Sequence, residues 1–288
     1  MHYEGTVIRP PSEAHSIIFQ VTLGCSHNRC TFCGAYRDKP FRIRSEEEIG
    51  RDIAFARRHC RRQKTVFLAD GNALAIPHAR LHALCRRIRQ QLPWVRRISL
   101  YANSRDILRL REDQLVALRK LGLGRIYMGL ESGHDPTLAA IGKGADSTAM
   151  VEAGRRVRRA SIFLSVTCLL GIAGTEDSQA HARATAAVIN RMRPSQVAVL
   201  TLMLLDNTEL GRRARQGRFR LPDRMGLCRE LHTLIRDLDL RAQFQANHAS
   251  NYFVLNGRLP RDQKKFLATV EQALAGSLQF TPEAQRAL

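Results

Sequence analysis

The chain alternates between two hydrophobic periods. Short runs with strand character at 16–23, 65–70, 97–103, 125–131, 162–170 and 196–202 are separated by stretches whose apolar residues recur every three or four positions. Ser45 suits an N-cap, and Glu46, Glu47 and Glu48 complement the helix dipole in the turn that follows. Ile49, Ile53, Ala56 and Cys60 then recur at helical spacing. Pro77 fits the first turn of the next helix, whose apolar face is Leu81, Leu84, Cys85, Ile88 and Leu92. Further helices are expected at 112–121, 147–160 and 177–192. Six strand–helix units in a row predict an α/β fold: a parallel sheet closed or nearly closed into a partial (β/α)6 barrel of the TIM type. Beyond Leu205 the alternation stops. Leu227, Leu231, Leu234, Ile235 and Leu238 mark one helix, and a second runs from Pro260 to about Ala275. The stretch 243–257 between them reads as irregular. The expected organisation is an N-terminal segment 1–15, a barrel core 16–205 and a short helical C-terminal extension 206–288 that closes the barrel.

Four strands carry polar residues at alternate positions: Gln20 and Thr22; Ser99, Tyr101 and Asn103; Tyr127 and Glu131; Ser165 and Thr167. Their other faces are aliphatic, as in Ile98 and Leu100. An ordinary eight-stranded barrel fills its lumen with branched apolar side chains. A polar inner face therefore predicts a ligand inside, whereas a reversed register or an exposed edge gives the same alternation without one.

The loop after the first strand holds Cys25, Cys30 and Cys33, with four and then two residues between them. Three thiolates on one loop can hold three irons of a cubane cluster and leave the fourth iron open, an arrangement suited to catalysis. A zinc site would need a fourth ligand and usually a second paired half. His27 lies between the first two cysteines, but no other Cys-x2-Cys exists. Phe32 shields the cluster, touches a ligand ring or belongs to the core. Cys60 and Cys85 fall on apolar helix faces, Cys168 on a strand face and Cys228 beside a leucine stripe, so all four read as structural.

Composition narrows the setting. The 288 residues are 44% apolar and 25% charged, enough for one large core. The N-terminus lacks a basic and then apolar leader pattern, and the longest mostly apolar run, 162–174, is too short to span a bilayer. A cytoplasmic protein without membrane contact is expected, where seven cysteines stay reduced as metal ligands or buried thiols. The formal charge is +20, with arginine-rich runs at 57–64, 154–159 and 211–220. Such charge fits an acidic partner such as RNA, DNA or a polyphosphorylated substrate. Its spread over several helices without interleaved aromatics fits solvated helix faces better.

Three ordered motifs then carry a resemblance. GCSHNRCTFC at 24–33 follows the first strand; Met128-Gly-Leu-Glu-Ser-Gly133 precedes Ile141-Gly-Lys-Gly144; Leu170-Gly-Ile-Ala-Gly-Thr-Glu176 ends the fifth strand. Together they resemble the radical S-adenosylmethionine (SAM) superfamily over about residues 16–205. The segments RPPSEA at 9–14 and NHASNY at 247–252 are similar to a branch of small proteins near the elongator, methylthiotransferase and coproporphyrinogen-oxidase types. Two departures stand out: four rather than three residues between the first cysteines, and Asp70-Gly71-Asn72 where the family has glycine-glycine-glutamate.

The resemblance implies that Cys25, Cys30 and Cys33 hold a 4Fe–4S cluster and that SAM chelates its open iron. Reductive cleavage of SAM then gives methionine and a 5′-deoxyadenosyl radical, which takes a hydrogen from a substrate. Asp70 or Asn72 would accept the SAM amino group. Asn103, Glu131 and Ser132 would meet the ribose or methionine part, and Gly171 and Ile172 the adenine. Lys143 either pairs with a carboxylate or is a solvated loop lysine, the second being favoured. Asn247, His248, Asn251 and Tyr252 are substrate candidates, or else part of a turn that closes the barrel. Arg9, Ser12 and Glu13 belong to a lid or to a docked tail. The implied partners are a small or acidic substrate and an electron donor such as flavodoxin or ferredoxin. RNA modification is a second reading, with nucleic acid possible but not favoured, and an electron carrier or zinc-stabilised binding module is a third.

Overall fold

The computed structural model describes residues 1–287. Eight strands follow one another in sheet order: β1 (Ile17–Gln20), β2 (Thr65–Ala69), β3 (Arg97–Tyr101), β4 (Leu123–Glu131), β5 (Phe163–Leu170), β6 (Gln196–Thr201), β7 (Ala242–Ala246) and β8 (Leu255–Leu259). The sheet is mostly parallel: the described pairings run parallel from β1 to β4 and from β5 to β7, and β8 runs antiparallel on β7. Its order begins at β1 and ends at β8, and no pairing among the described residues closes the ring. The α/β, partial-barrel reading holds, with a correction at residues 243–257. The two ends of that stretch belong to β7 and β8, and only residues 247–254 between them form a loop. Ala242, Phe244 and Ala246 alternate with glutamines and are buried, a period-two pattern short enough to be hidden among polar neighbours.

The chain divides into two compact units. The first comprises Met1–Asn28, Ala35–Met128 and Arg156–Leu164, and the second comprises Arg29–Gly34, Gly129–Arg155 and the chain from Ser165 onward.

In the first unit the register aligns Ile17 with Val66, Phe19 with Leu68, Val66 with Ile98 and Leu100 with Ile126. All of these are buried, because strand periodicity puts them on one face. Ser45 and Glu48 close a capping box at the start of the helix Glu46–His59, which packs on β1. The opposite face carries Ile18, Gln20, Phe67, Ser99, Tyr101 and Tyr127, and the rings of Phe67 and Tyr101 meet edge-on at 5.1 Å.

That face does have an occupant, and it is the chain's own N-terminal segment. Gln20 exchanges hydrogen bonds with both backbone groups of Glu4. Glu13 is wholly buried and accepts the Tyr127 hydroxyl at 2.6 Å and Arg97 at 3.1 Å, while Ser12 Oγ lies 2.8 Å from Tyr127 Oη. The polar pattern on these strands thus binds residues 4–13 and needs no bound ligand to explain it. Burial pushes the Tyr127 phenol up to about 12, so it remains a donor at neutral pH. Glu13→Ala leaves these donors without their acceptor and is expected to cost about 2–3 kcal/mol in urea unfolding. A loss below about 0.5 kcal/mol, within the range of an ordinary surface substitution, would show that the segment is not docked through Glu13.

In the second unit β5, β6 and β7 pair in parallel, with Val166 beside Val197 and Val197 beside Phe244. The helix Gly174–Met192 packs against Arg224–Asp237, which in turn packs against Gln263–Leu274. The helix Gly174–Met192 starts three residues before the expected 177, because the turn after β5 leads into it directly at Gly174. No described helix is long and apolar enough to cross a membrane.

Candidate cluster and cofactor site

Within the first unit, Cys25 and the Asp70-Gly71-Asn72 turn are neighbours. The Gly71 amide donates to Gly24 O at 3.2 Å, and a Cβ on Gly71 would stand 3.0 Å from Cys25 Cβ and 2.7 Å from the Tyr36 ring. The turn therefore passes against the cysteine loop with no room for a side chain. Asp70 is fully buried. Its Oδ2 receives Gln20 Nε2 at 3.3 Å and lies 3.8 Å from Lys39 Nζ. Its Oδ1, buried as well, has no hydrogen-bond partner. Burial pushes the Asp70 carboxyl up, against the pull of the Lys39 charge, Gln20, the Gly24 amide and Tyr36.

Asn72 is in a different state. Its Nδ2 donates to Ser26 Oγ at 2.6 Å and Asp106 Oδ2 at 2.5 Å, and its Oδ1 accepts the Asn103 amide at 3.2 Å. Asn103 occupies the N-cap position of the helix Ser104–Arg109, without a side-chain cap bond, rather than ending a strand, since β3 stops at Tyr101. The Asn103 side-chain Nδ2 is buried without a partner.

Within the second unit, Cys30 and Cys33 share a tight turn, with the Cys33 amide on Cys30 O at 3.3 Å. All three loop cysteines are half-buried. Thr31 N donates to Ile141 O and Thr31 O accepts Leu210 N, which ties the loop to the segment after β4. Phe32 packs against a cluster containing Ile141, Leu169, Ile172 and Leu210, so Phe32 and Ile172 are brought together. Ile172 is itself buried. Gly171 has φ +81, and a Cβ there would meet Leu221 at 2.7 Å and Leu227 at 3.0 Å. Its lack of a side chain thus serves the turn and makes room for these leucines.

Glu131 ends β4 at φ +62, a costly conformation for a residue with a Cβ and one that clusters at functional sites. Lys143 holds its carboxylate at 2.9 Å, with both side chains 11% exposed, so the lysine is a partner of Glu131 and not a solvated loop residue. Ser132, His181 and Glu230 form a buried chain behind this turn. Sequence reasoning missed His181 and Glu230, although Glu230 interrupts the stripe of Leu227, Leu231 and Leu234 on the same helix face.

The loop after β7 is anchored from several sides. Asn251 accepts the Thr201 hydroxyl and donates to Val199 O, each at 2.8 Å, and Ser250 Oγ accepts Thr201 N. Arg286 donates to Ser250 O and lies 3.9 Å from the centre of the Tyr252 ring. His248 Nδ1 accepts the Ser250 amide, and burial pulls the imidazole pKa down. Asn247 is exposed.

The family model for the radical SAM superfamily matches residues 19–184. The chain belongs to the radical SAM superfamily. Radical SAM proteins use a 4Fe–4S cluster and SAM, and both are the cofactors of this chain. Among curated proteins none matches in sequence. Solved structures agree on the fold. The radical SAM methyltransferase TsrM from Kitasatospora setae, with cobalamin and a [4Fe-4S] cluster bound, aligns with TM-score 0.57 at 17% identity over 69% of this chain and 39% of that one. Coproporphyrinogen III oxidase from Escherichia coli aligns with TM-score 0.55 at 15% identity over 78% of this chain and 54% of that one. The radical SAM chain thus spans less than two thirds of either protein.

The donor chemistry fits the cofactors. Three thiolates on one loop match a cubane with an open iron. No group of three His, Cys, Asp or Glu side chains among the described residues is arranged for a single metal ion; in a cubane each thiolate takes a separate iron. An unpartnered carboxylate oxygen and an unpartnered amide nitrogen, buried on Asp70 and Asn103, fit the complementary polar groups of an amino-acid moiety.

Proposed function

We propose that this protein is a SAM-cleaving radical enzyme whose cluster is held by Cys25, Cys30 and Cys33 and whose substrate is small or acidic. The observation that carries the reading is Asp70 Oδ1, buried without a partner one residue from the glycine packed on Cys25. A buried acceptor left bare costs about 1–3 kcal/mol, and a ligand donor removes that cost. When bound and reduced, the cluster and SAM supply one-electron cleavage of the sulfonium and, through it, abstraction of a substrate hydrogen atom.

The chain's residues orient and enclose. Asp70 accepts the amino group, taking the place of the family's glutamate-bearing motif, and Asn72 acts behind it as the fixed support of Asn103. Asn103 Nδ2 donates to the carboxylate or ribose. Glu131, restrained by Lys143, and Ser132 face the sugar side, while backbone at Gly171 and Ile172, with Phe32, lines the adenine. The Phe32–Ile172 cluster keeps water from the reacting atoms. Asn247, His248, Asn251 and Tyr252 remain the candidate substrate loop, with the exposed Asn247 and the neutral His248 free to meet it best. Core residues 16–205 carry the cofactors, and the extension from residue 206 supports them. A flavodoxin or ferredoxin is the proposed electron donor, in the cytoplasm.

Several surface arginines are paired locally, including Arg159 with Glu112 and Arg213 with Glu209, which favours solvated helix faces over an RNA interface. Anaerobic reconstitution followed by SAM and dithionite is expected to yield 5′-deoxyadenosine. Cluster-loaded protein that forms none overturns the proposal.

A further inference from the structure

The turns that end β4 and β5 are joined by one buried hydrogen-bonded chain, and its far end lies outside the family match. Glu230 sits on the helix Arg224–Asp237, beyond residue 184. Its carboxylate is 0% exposed. Oε1 accepts the Gly171 amide at 2.7 Å, and Oε2 accepts the Ser178 hydroxyl. His181 Nε2 lies 3.4 Å from Oε1. Across the ring, Ser132 Oγ lies 2.7 Å from Nδ1. Ser132 Oγ also accepts the His134 amide at 2.9 Å, and Thr185 Oγ1 lies 3.3 Å from the same Nδ1. Thr185 Oγ1 in turn accepts the Gly133 amide at 2.8 Å. A Cβ on Gly133 would stand 2.4 Å from Ala184 O, so this turn rests directly on the helix that carries His181.

A leucine at 230 would continue the stripe of Leu227, Leu231 and Leu234 without burying a charge. A carboxylate out of water persists only where hydrogen bonds replace its hydration. Here the replacements are the Ser178 hydroxyl and the peptide N–H of Gly171, the residue whose left-handed conformation turns the chain from β5 toward the helix Gly174–Met192.

We propose that Glu230 and His181 are positioning residues for SAM. Glu230 fixes the Gly171–Ile172 turn, and His181 couples it to the Glu131–Ser132 turn, so both cofactor contacts stand on one preorganised frame. This rests on the reading of those two turns as SAM contacts.

Hydrogen–deuterium exchange and S-adenosylhomocysteine calorimetry on the full chain test it, with iron content after reconstitution as a control. In Glu230→Ala, exchange at the Gly171 turn and at residues 131–134 is expected to rise, and the S-adenosylhomocysteine Kd to rise about tenfold or more, with iron content unchanged. Glu230→Gln keeps an oxygen for the Gly171 amide and is expected to restore both. If Glu230→Ala does not fold, Glu230→Asp, withdrawn by one methylene, is read in the same way. A Kd within about twofold of wild type in the variant that loses protection, or a Glu230→Gln protein as defective as Glu230→Ala, overturns the positioning role. Unchanged exchange at 131–134 overturns the coupling through His181. Wild-type protein that does not bind S-adenosylhomocysteine overturns the SAM reading itself, whereas wild-type binding that Glu230→Ala leaves intact overturns only the role of Glu230.

Discussion

Cys30→Ala protein, reconstituted anaerobically with ferrous iron and sulfide, is expected to hold no stable 4Fe–4S cluster and to form no 5′-deoxyadenosine from SAM. In the proposed site each of the three loop thiolates serves one iron, so losing one would leave two irons without a protein ligand. The loss should exceed the about 10–100-fold that removal of an outer-shell partner costs a metal site. No other cysteine is suited to substitute. Burial pushes the Cys85 thiol up to about 12 and Cys228 up to about 11, and Cys60 and Cys168 upward as well, so these remain protonated at neutral pH. Cys85→Ala should accordingly load iron and sulfide as wild type does. Iron and acid-labile sulfide analysis with electron paramagnetic resonance of the reduced protein reads both variants. A full cluster in Cys30→Ala would remove that residue from the ligand set.

Asp70→Asn should weaken S-adenosylhomocysteine binding about 10–100-fold, the worth of a charge-assisted hydrogen bond in a dry site. The affinity for 5′-methylthioadenosine, which lacks the amino-acid moiety, should stay the same. The same variant should melt no lower than wild type. Burial disfavours the Asp70 charge, and the neutral amide of the same shape removes that penalty, while Lys39 is partly exposed and can be hydrated instead. Asn72 cannot take over, because its side-chain groups are engaged by Ser26, Asp106 and Asn103. Calorimetry with the two ligands decides the matter. Equal loss for both ligands would mean a collapsed site, and unchanged S-adenosylhomocysteine binding would exclude Asp70 as the acceptor.

The strand–helix alternation was legible because each element buries one face, and burial writes its period into the residues. Ser45 and Glu48 could be placed for the same reason: a cap is a local bond between near neighbours. The missed strands β7 and β8 show the limit. Their pairing is set by partners far along the chain, and the buried positions in Ala242–Ala246 are too few to outweigh the glutamines between them. The polar inner face of β1, β3 and β4 was read as the wall of a ligand site. Its partner proved to be Glu4 and Glu13, because an acceptor from the chain's own N-terminus satisfies a buried tyrosine or glutamine as well as a ligand does.

By itself the sequence determined the superfamily, the three cysteines with their spacing and the order of the strands. These depend on covalent proximity and on local hydrophobic period. Only the tertiary structure decided which polar groups are already satisfied. It separated Asp70, with a bare oxygen, from Asn72, which is saturated; it paired Lys143 with Glu131; and it brought Glu230 to the Gly171 amide from 59 positions away. Hydrogen-bond satisfaction and desolvation depend on what folds against a group in space, and neighbours in sequence do not specify that.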